Sequence, residues 1–300
     1  MIKNFHELIL NAKKKKGMVI GVPVPENLNS VLTVINAKRE GIADFILTGN
    51  EPKITGMIKD NGGDPSDFEI INCTSVEESA ERIVELANQN KVNVILKGFL
   101  PTAKLIKPVL DKEKGLRTGN LLSDVLIMED PLDSSNGFIG LTDGGIVISP
   151  DLGQKVQLIS NSVKVFHSLG YENPKVGIMT AIESVKESMP ATTDAEILTI
   201  MNSKGEIPGC EVYGPLAFDI AVSREAAEVK GIKNPVAGNV RIMLMPNIEA
   251  GNLLGKCFMF YMKREVAHIV MGARIPILIP SRNENEVDKV NSIALGVSIA

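Results

Sequence analysis

The sequence predicts an α/β protein of two domains with mainly parallel sheets, and three observations carry that prediction. The 300 residues exceed the size at which a single hydrophobic core ordinarily stops growing. Short apolar runs without polar alternation are separated by amphipathic stretches, the pattern of parallel strands covered by helices on both faces. After about residue 120 the pattern starts afresh with different material.

Residues 18–22 (MVIGV) predict a strand ended by Pro23 and Pro25, and Leu28, Val31, Leu32 and Ile35 follow at helical spacing. Further strands are predicted at 43–48, 68–72 and 92–96, with Val76, Ala80, Ile83, Val84 and Ala87 marking a helix before the last. The second half predicts strands at 125–128, 145–149, 175–179 and 240–245, with amphipathic segments at 155–169 and 223–230. Pro276-Ile277-Leu278-Ile279-Pro280 reads as a last short strand, and 284–299 as a closing helix. The turn-rich stretch EDPLDSSNGFIG (129–140) is the expected domain crossover.

Composition narrows the function classes. Hydrophobic residues make up 44% and charged residues 23%, an ordinary globular balance. No apolar run reaches the roughly 18 residues of a membrane span, so no membrane partner is expected. The first residues carry Lys13–Lys16 behind their apolar stretch, which suits the negative pole of a helix and not a signal peptide. Cys73, Cys210 and Cys257 are odd in number, far apart and without metal spacing. Free thiols in a reducing, cytoplasmic setting follow, and no metal site is expected. A net charge of −4 argues against a nucleic-acid surface. It also leaves an anionic substrate to be held by local donors.

In open parallel sheets ligands collect at the carboxyl ends of strands, where loops meet helix amino ends. Four segments qualify. Ser281-Arg282-Asn283-Glu284-Asn285-Glu286-Val287-Asp288 leaves a buried strand and enters a helix; Arg282 there suits phosphate through paired hydrogen bonds. Ser281 is placed to meet an oxyanion or simply to cap the helix, and on chemistry alone the capped acidic helix is the stronger reading. Lys97-Gly98, ahead of Thr102, puts a cation and a permissive backbone at a second strand-to-helix junction, where a plain turn is equally compatible. Gly115-Leu116-Arg117-Thr118-Gly119 and Pro246-Asn247-Ile248-Glu249-Ala250-Gly251-Asn252 read either as a solvated turn and a capped helix start or as backbone approaches to a ligand. His6, His167 and His268 are isolated and read as structural. No G-x-G-x-x-G, G-x-S-x-G, H-E-x-x-H or Walker loop is present.

Together these pieces resemble the phosphate acetyl/butyryltransferase family, and its butyryl-transferring branch in particular. The resemblance runs through KGFLPTAKLIKPVLDKEKGLRTG (97–119), NSVKVFHSLGYENPKV (161–176), GPLAFDIAVSREAAEVKGI (214–232), MPNIEAGN (245–252) and SRNENEVDKVNSIALG (281–296). It implies a fold like that of isocitrate and isopropylmalate dehydrogenases. The first domain is then 1–131 plus 265–300, the second 132–264, and the site lies in the cleft between them.

The resemblance also implies an acyltransferase that moves a short, butyryl-like or branched acyl group between coenzyme A and inorganic phosphate. It assigns catalysis to Ser281 and Asp288 and phosphate binding to Arg282, Lys97 and Gly98. Coenzyme A or substrate contacts are expected at Thr102, Arg117, Thr118, Asp143, Asn247, Gly251 and Asn252. Coenzyme A is a substrate here and no tightly bound cofactor is expected; a homodimer or larger homo-oligomer is. A thiol with pKa near 8.5 is mostly protonated at neutral pH, so a carboxylate base is useful.

The chain departs from the family pattern at Asp124, where butyryl-type relatives usually carry His, and at Asn239 and Arg241, where they tend to be acidic. Lys107 stands where Arg is common, Asp288 where Glu is common, and the Asn usual after Asp143 is missing. These departures keep two alternatives open: a phosphate acetyltransferase, and a coenzyme A-binding paralogue without turnover. An oxidoreductase of the same fold class would need metal-binding aspartates and a nucleotide loop that the sequence does not show.

Overall fold

The computed structural model describes residues 1–281 and 284–300. They form two compact units, one of Phe5–Asn120 with Val266–Ala300, the other of Leu121–Glu265 with Met1–Asn4.

The first unit opens with α1 (Phe5–Lys14), β1 (Val19–Pro23), α2 (Leu28–Arg39), β2 (Asp44–Gly49) and α3 (Glu51–Asp60). β3 (Glu69–Asn72), α4 (Val76–Asn88), β4 (Val94–Leu96) and α5 (Thr102–Val109) follow. The second unit contributes β5 (Ser123–Glu129), β6 (Phe138–Thr142), α6 (Leu152–Ser168), β7 (Lys175–Met179), α7 (Pro190–Ser203) and β8 (Glu211–Leu216). It continues with α8 (Phe218–Val222), α9 (Arg224–Val229), β9 (Ile242–Leu244) and α10 (Ile248–Lys256). The chain then returns to the first unit with β10 (Ala267–Met271), β11 (Ile277–Leu278) and α11 (Glu286–Ile299).

Strand order in the first unit is β3-β2-β1-β4-β11-β10, parallel except where β10 meets β11. Ile20, Val22, Leu47, Val94 and Ile95 are buried on this sheet. Val31, Val34 and Ile35 of α2 and Ile83 and Val84 of α4 cover it, each buried aliphatic contributing about 1.5–3 kcal/mol. α11 is buried on nearly every side from Asp288 to Ser298, so its polar groups need partners. The Ser292 hydroxyl accepts the His268 N–H at 2.9 Å and donates to the Asp288 carbonyl at 2.9 Å. Ser298 accepts from the Asn11 amide at 3.2 Å.

The second unit carries strand order β5-β6-β9-β7-β8, with β5–β6 antiparallel and the remaining pairs parallel. α6 starts three residues ahead of its expected position because Asp151 and Gln154 form a reciprocal capping box. Among the described residues no helix is long and apolar enough to cross a membrane, and no cluster of His, Cys, Asp or Glu is placed to hold a metal.

Three sequence expectations need correction. The stretch 129–140 is no crossover: it turns a hairpin between β5 and β6, closed by the Asp130 N–H on the Gly137 carbonyl at 2.8 Å. Residues 145–149 are not a strand, because the N–H groups of Gly145 and Ile146 are taken by the Asp143 carboxylate. The units change at 120/121 and 265/266, whereas the expected first domain ran to 131. The hairpin explains this, since β5 belongs with its antiparallel partner. Residues 1–4 also stay with the second unit, held by Ile2 N–H on the Leu169 carbonyl at 2.7 Å.

Candidate functional site

A pocket of about 290 Å³ opens in the first unit at the carboxyl ends of β1, β4 and β11. Its wall combines the amino end of α2 (Asn27, Leu28, Asn29, Ser30), the Lys97–Leu100 turn, Ser281 and Lys289. The turn is fixed by backbone bonds: Lys97 N–H donates to the Leu278 carbonyl at 2.9 Å, and Phe99 N–H to the Val24 carbonyl at 2.6 Å. A Cβ at Gly98 would lie within 3 Å of the Pro23 and Val24 carbonyl oxygens, so only glycine lets the two chain segments meet. Val24 itself sits at φ 53°, a region rare for β-branched residues and strained by about 1–2 kcal/mol.

Ser281 does not cap the closing helix. That role belongs to Asn285, whose side chain accepts the Asp288 N–H at 2.9 Å. Ser281 instead donates its N–H to the Glu284 carboxylate at 2.5 Å and lines the pocket. Glu284 is buried, with His268 Nε2 3.9 Å from its Oε1. The Lys97 ammonium is half-buried and makes long bonds to the carbonyls of Gly98 and Leu100 at 3.4 and 3.3 Å. Asp288 is buried and does not line the pocket, one oxygen accepting the Val266 N–H at 3.0 Å. Arg282 lies outside the described residues.

The other expected ligand contacts in this unit stand apart from the pocket. Thr102 is exposed at the start of α5. Arg117 forms a backbone bridge with Ala273, and the Thr118 hydroxyl donates to the Gly272 carbonyl at 2.6 Å.

In the second unit Asp143, Asn247, Gly251 and Asn252 come together around one loop. The Asp143 carboxylate accepts N–H groups from Gly145 (2.7 Å), Ile146 (2.8 Å) and Asp124 (2.8 Å). Asn252 donates to the Gly144 carbonyl at 3.0 Å, and Asn247 caps α10 by accepting the Ala250 N–H. A Cβ at Gly251 would lie within 3 Å of the Asp143 carbonyl oxygen. Burial, and then the neighbouring Asp124 charge, push the Asp143 carboxyl up to about 6.

The family model described as "Phosphate acetyl/butaryl transferase" matches residues 83–297. The chain belongs to this family. It is 40% identical over 300 residues to a phosphate butyryltransferase from Clostridium acetobutylicum, covering 100% of this chain and 99% of that one. It is 38% identical to a phosphate acetyltransferase from Thermotoga maritima over 99% of this chain and 100% of that one. A branched-chain phosphotransacylase structure from Enterococcus faecalis V583 shares the fold, with a TM-score of 0.82, 23% identity and coverage of 94% and 98%.

Within this family frame, two departures have local explanations. Arg241 Nη1 is 2.8 Å from the Asp130 carboxylate, so its charge is neutralised in place. Asn239 donates to the Pro235 and Ala237 carbonyls at 3.1 Å each, holding its own turn. Sequence reasoning missed the α2 amino end, Glu284 and Lys289. The last two stand inside or beside the motif it singled out, but their burial comes from tertiary packing and leaves no mark in a single sequence.

Proposed function

We propose that this chain is a phosphate acyltransferase catalysing acyl-CoA + phosphate = acyl phosphate + CoA, with a short butyryl-like or branched acyl group as substrate. The observation that carries the reading is the pocket at the strand carboxyl ends, where Ser281, Lys97 and Gly98 meet the amino end of α2 in a chain of this family. A phosphate oxygen attacks the thioester carbon, the new C–O bond forms, the C–S bond breaks, and the thiolate leaves. In reverse, Asp288 acts as the base that takes the thiol proton. Ser281 donates to the oxyanion that develops on the acyl carbon, and Arg282 with Lys97 and Gly98 holds the phosphate. Coenzyme A contacts are assigned to Thr102, Arg117, Thr118, Asp143, Asn247, Gly251 and Asn252.

Transfer is direct, in a ternary complex. Burial raises the thiol of Cys73 and pushes that of Cys210 up to about 11, which suits neither to nucleophilic attack. Ping-pong kinetics or a trapped acyl-enzyme would sink this step. The reading further expects a cytoplasmic homodimer or larger homo-oligomer, and coenzyme A as a substrate with no tightly bound cofactor.

The test is phosphate-dependent release of free thiol from acetyl-, butyryl- and isobutyryl-CoA. Butyryl- and isobutyryl-CoA are expected to be turned over faster than acetyl-CoA. Coenzyme A binding without thiol release would instead mean a paralogue that has lost turnover. Ser281→Ala and Asp288→Asn are each expected to lower kcat about 100-fold or more. Asn keeps the acceptor for Val266, so the Asp288 variant separates proton transfer from folding. Full activity in both variants would remove the site assignment.

A further inference from the structure

Two lysines are almost fully buried among the described residues, Lys155 and Lys289. Their surroundings differ. Lys155 Nζ is 2.5 Å from the Asp194 carboxylate, an ion pair that offsets the cost of burying its charge. Lys289 is 7% exposed; its backbone N–H donates to the Asn285 carbonyl at 3.4 Å, and its ammonium makes no hydrogen bond or ion pair among the described residues. The Glu284, Glu286 and Asp288 carboxylates act on it only at longer range, and burial, the larger influence, holds its ammonium below the ordinary lysine value.

A buried cation without a close partner is costly, and titratable groups perturbed by burial cluster at functional sites. The position of Lys289 supplies the rest of the argument. Its side chain lines the pocket that receives the amino end of α2 and the Gly98 turn. In α2 the Asn27 side chain takes the Ser30 N–H at 2.7 Å, and the Leu28 and Asn29 N–H groups ahead of it stand at the positive pole of a 12-residue helix. Lys97 adds a second cation to the same wall.

We propose that Lys289 is the buried cation of a phosphate-oxyanion subsite completed by the amino end of α2 and the Gly98 backbone, and that inorganic phosphate is its occupant. The proposal rests on the phosphate acyltransferase reading for the identity of that anion. It adds a residue to the phosphate-holding set and gives α2 a part in binding. Coenzyme A also carries phosphate groups, so the experiment must separate the two sources.

The experiment measures binding of inorganic phosphate and, separately, of coenzyme A to the full-length chain by calorimetry. The variants are Lys289→Met and Lys289→Gln, each with its melting temperature. The expected result is a phosphate Kd raised tenfold or more and a coenzyme A Kd within twofold. The melting temperature should be unchanged or higher, because removing an unpaired buried charge relieves the fold. If coenzyme A binding weakens and phosphate binding does not, the assignment to inorganic phosphate is overturned. If neither changes, or if both variants melt well below the wild type, Lys289 is structural and the subsite does not exist.

The proposed function fails separately. A wild-type chain with no phosphate-dependent thiol release but a Lys289-dependent phosphate Kd would keep the subsite and lose the reaction. Normal turnover with a phosphate KM unmoved by Lys289→Met would do the reverse.

Discussion

The pocket beside Lys97 and the loop around Asp143 are built by the same device and put to opposite uses. In each, a glycine lets two backbones approach where any side chain would collide: Gly98 against Pro23 and Val24, Gly251 against Asp143. Around Gly98 the polar residues line a pocket: a helix amino end, two lysines and Ser281 form its wall, Lys97 with only long bonds to the Gly98 and Leu100 carbonyls. Around Asp143 they face each other, and its carboxylate is occupied by three N–H donors. In the proposed reading, the first arrangement receives an anion from outside. The second has supplied its own anion, and its donors are already bonded. Motif content alone does not separate these cases; the direction of the hydrogen bonds does.

The largest effects are expected from the two glycines. Gly98→Ala and Gly251→Ala each force a methyl group against backbone carbonyls, and each should cost about 3 kcal/mol in urea unfolding. Their ligand behaviour should diverge. The Gly98 variant, studied at low temperature where it stays folded, should lose phosphate binding at least tenfold. The Gly251 variant should keep phosphate affinity within twofold. Equal losses in both would break the contrast between a phosphate pocket and a loop that takes no part in holding phosphate.

How much of this was legible beforehand follows from what each feature depends on. The parallel framework was readable because β1, β2 and β4 are continuous apolar runs separated by helix-period stretches. The Ser281–Asp288 segment was singled out through its place after a strand. Its internal division was not, since only the structure shows Asn285, not Ser281, capping the helix. β6 was missed and 145–149 taken for a strand for one shared reason. Both stretches are apolar, and only the Asp143 carboxylate, by capturing Gly145 and Ile146, decides which one pairs. Lys289 was invisible because a lysine on a helix is usually solvated, and its burial depends on α11 being enclosed on nearly all sides.

A smaller effect separates the two regions by pH. The Asp143 carboxyl titrates near 6 in the folded chain, against about 3.9 in an unfolded one. The folded state therefore keeps this proton at pH values where the unfolded chain has released it. The stability contributed by this group is full below about pH 4 and is lost as pH rises through about 6. Asp124→Asn removes the second cause of the shift and leaves the first, burial. The variant should show a weaker decline between pH 4.5 and 7.5, gaining about 1 kcal/mol at the upper end relative to the lower. Unfolding midpoints at the two pH values measure this, and an unaltered difference would mean that the Asp124 charge does not reach Asp143.

The smallest effect concerns Thr118, a proposed coenzyme A contact whose hydroxyl is already engaged. It donates to the Gly272 carbonyl at 2.6 Å and accepts the Asn120 N–H at 3.2 Å, so it shares the self-satisfied character of Asp143 although it lies in the unit with the pocket. Thr118→Val keeps the shape and removes both bonds. A single hydrogen bond contributes about 0.5–1.5 kcal/mol net, and an exposed one tends to the lower end because water replaces it. The expected outcome is a stability loss of about 1 kcal/mol and a KM for butyryl-CoA raised no more than threefold, as the 115–120 turn loosens. A tenfold KM increase with unchanged stability would make the hydroxyl a direct ligand. Thr118 would then belong with Ser281, among groups turned toward a substrate, and the line between the two kinds of region would run through a single turn.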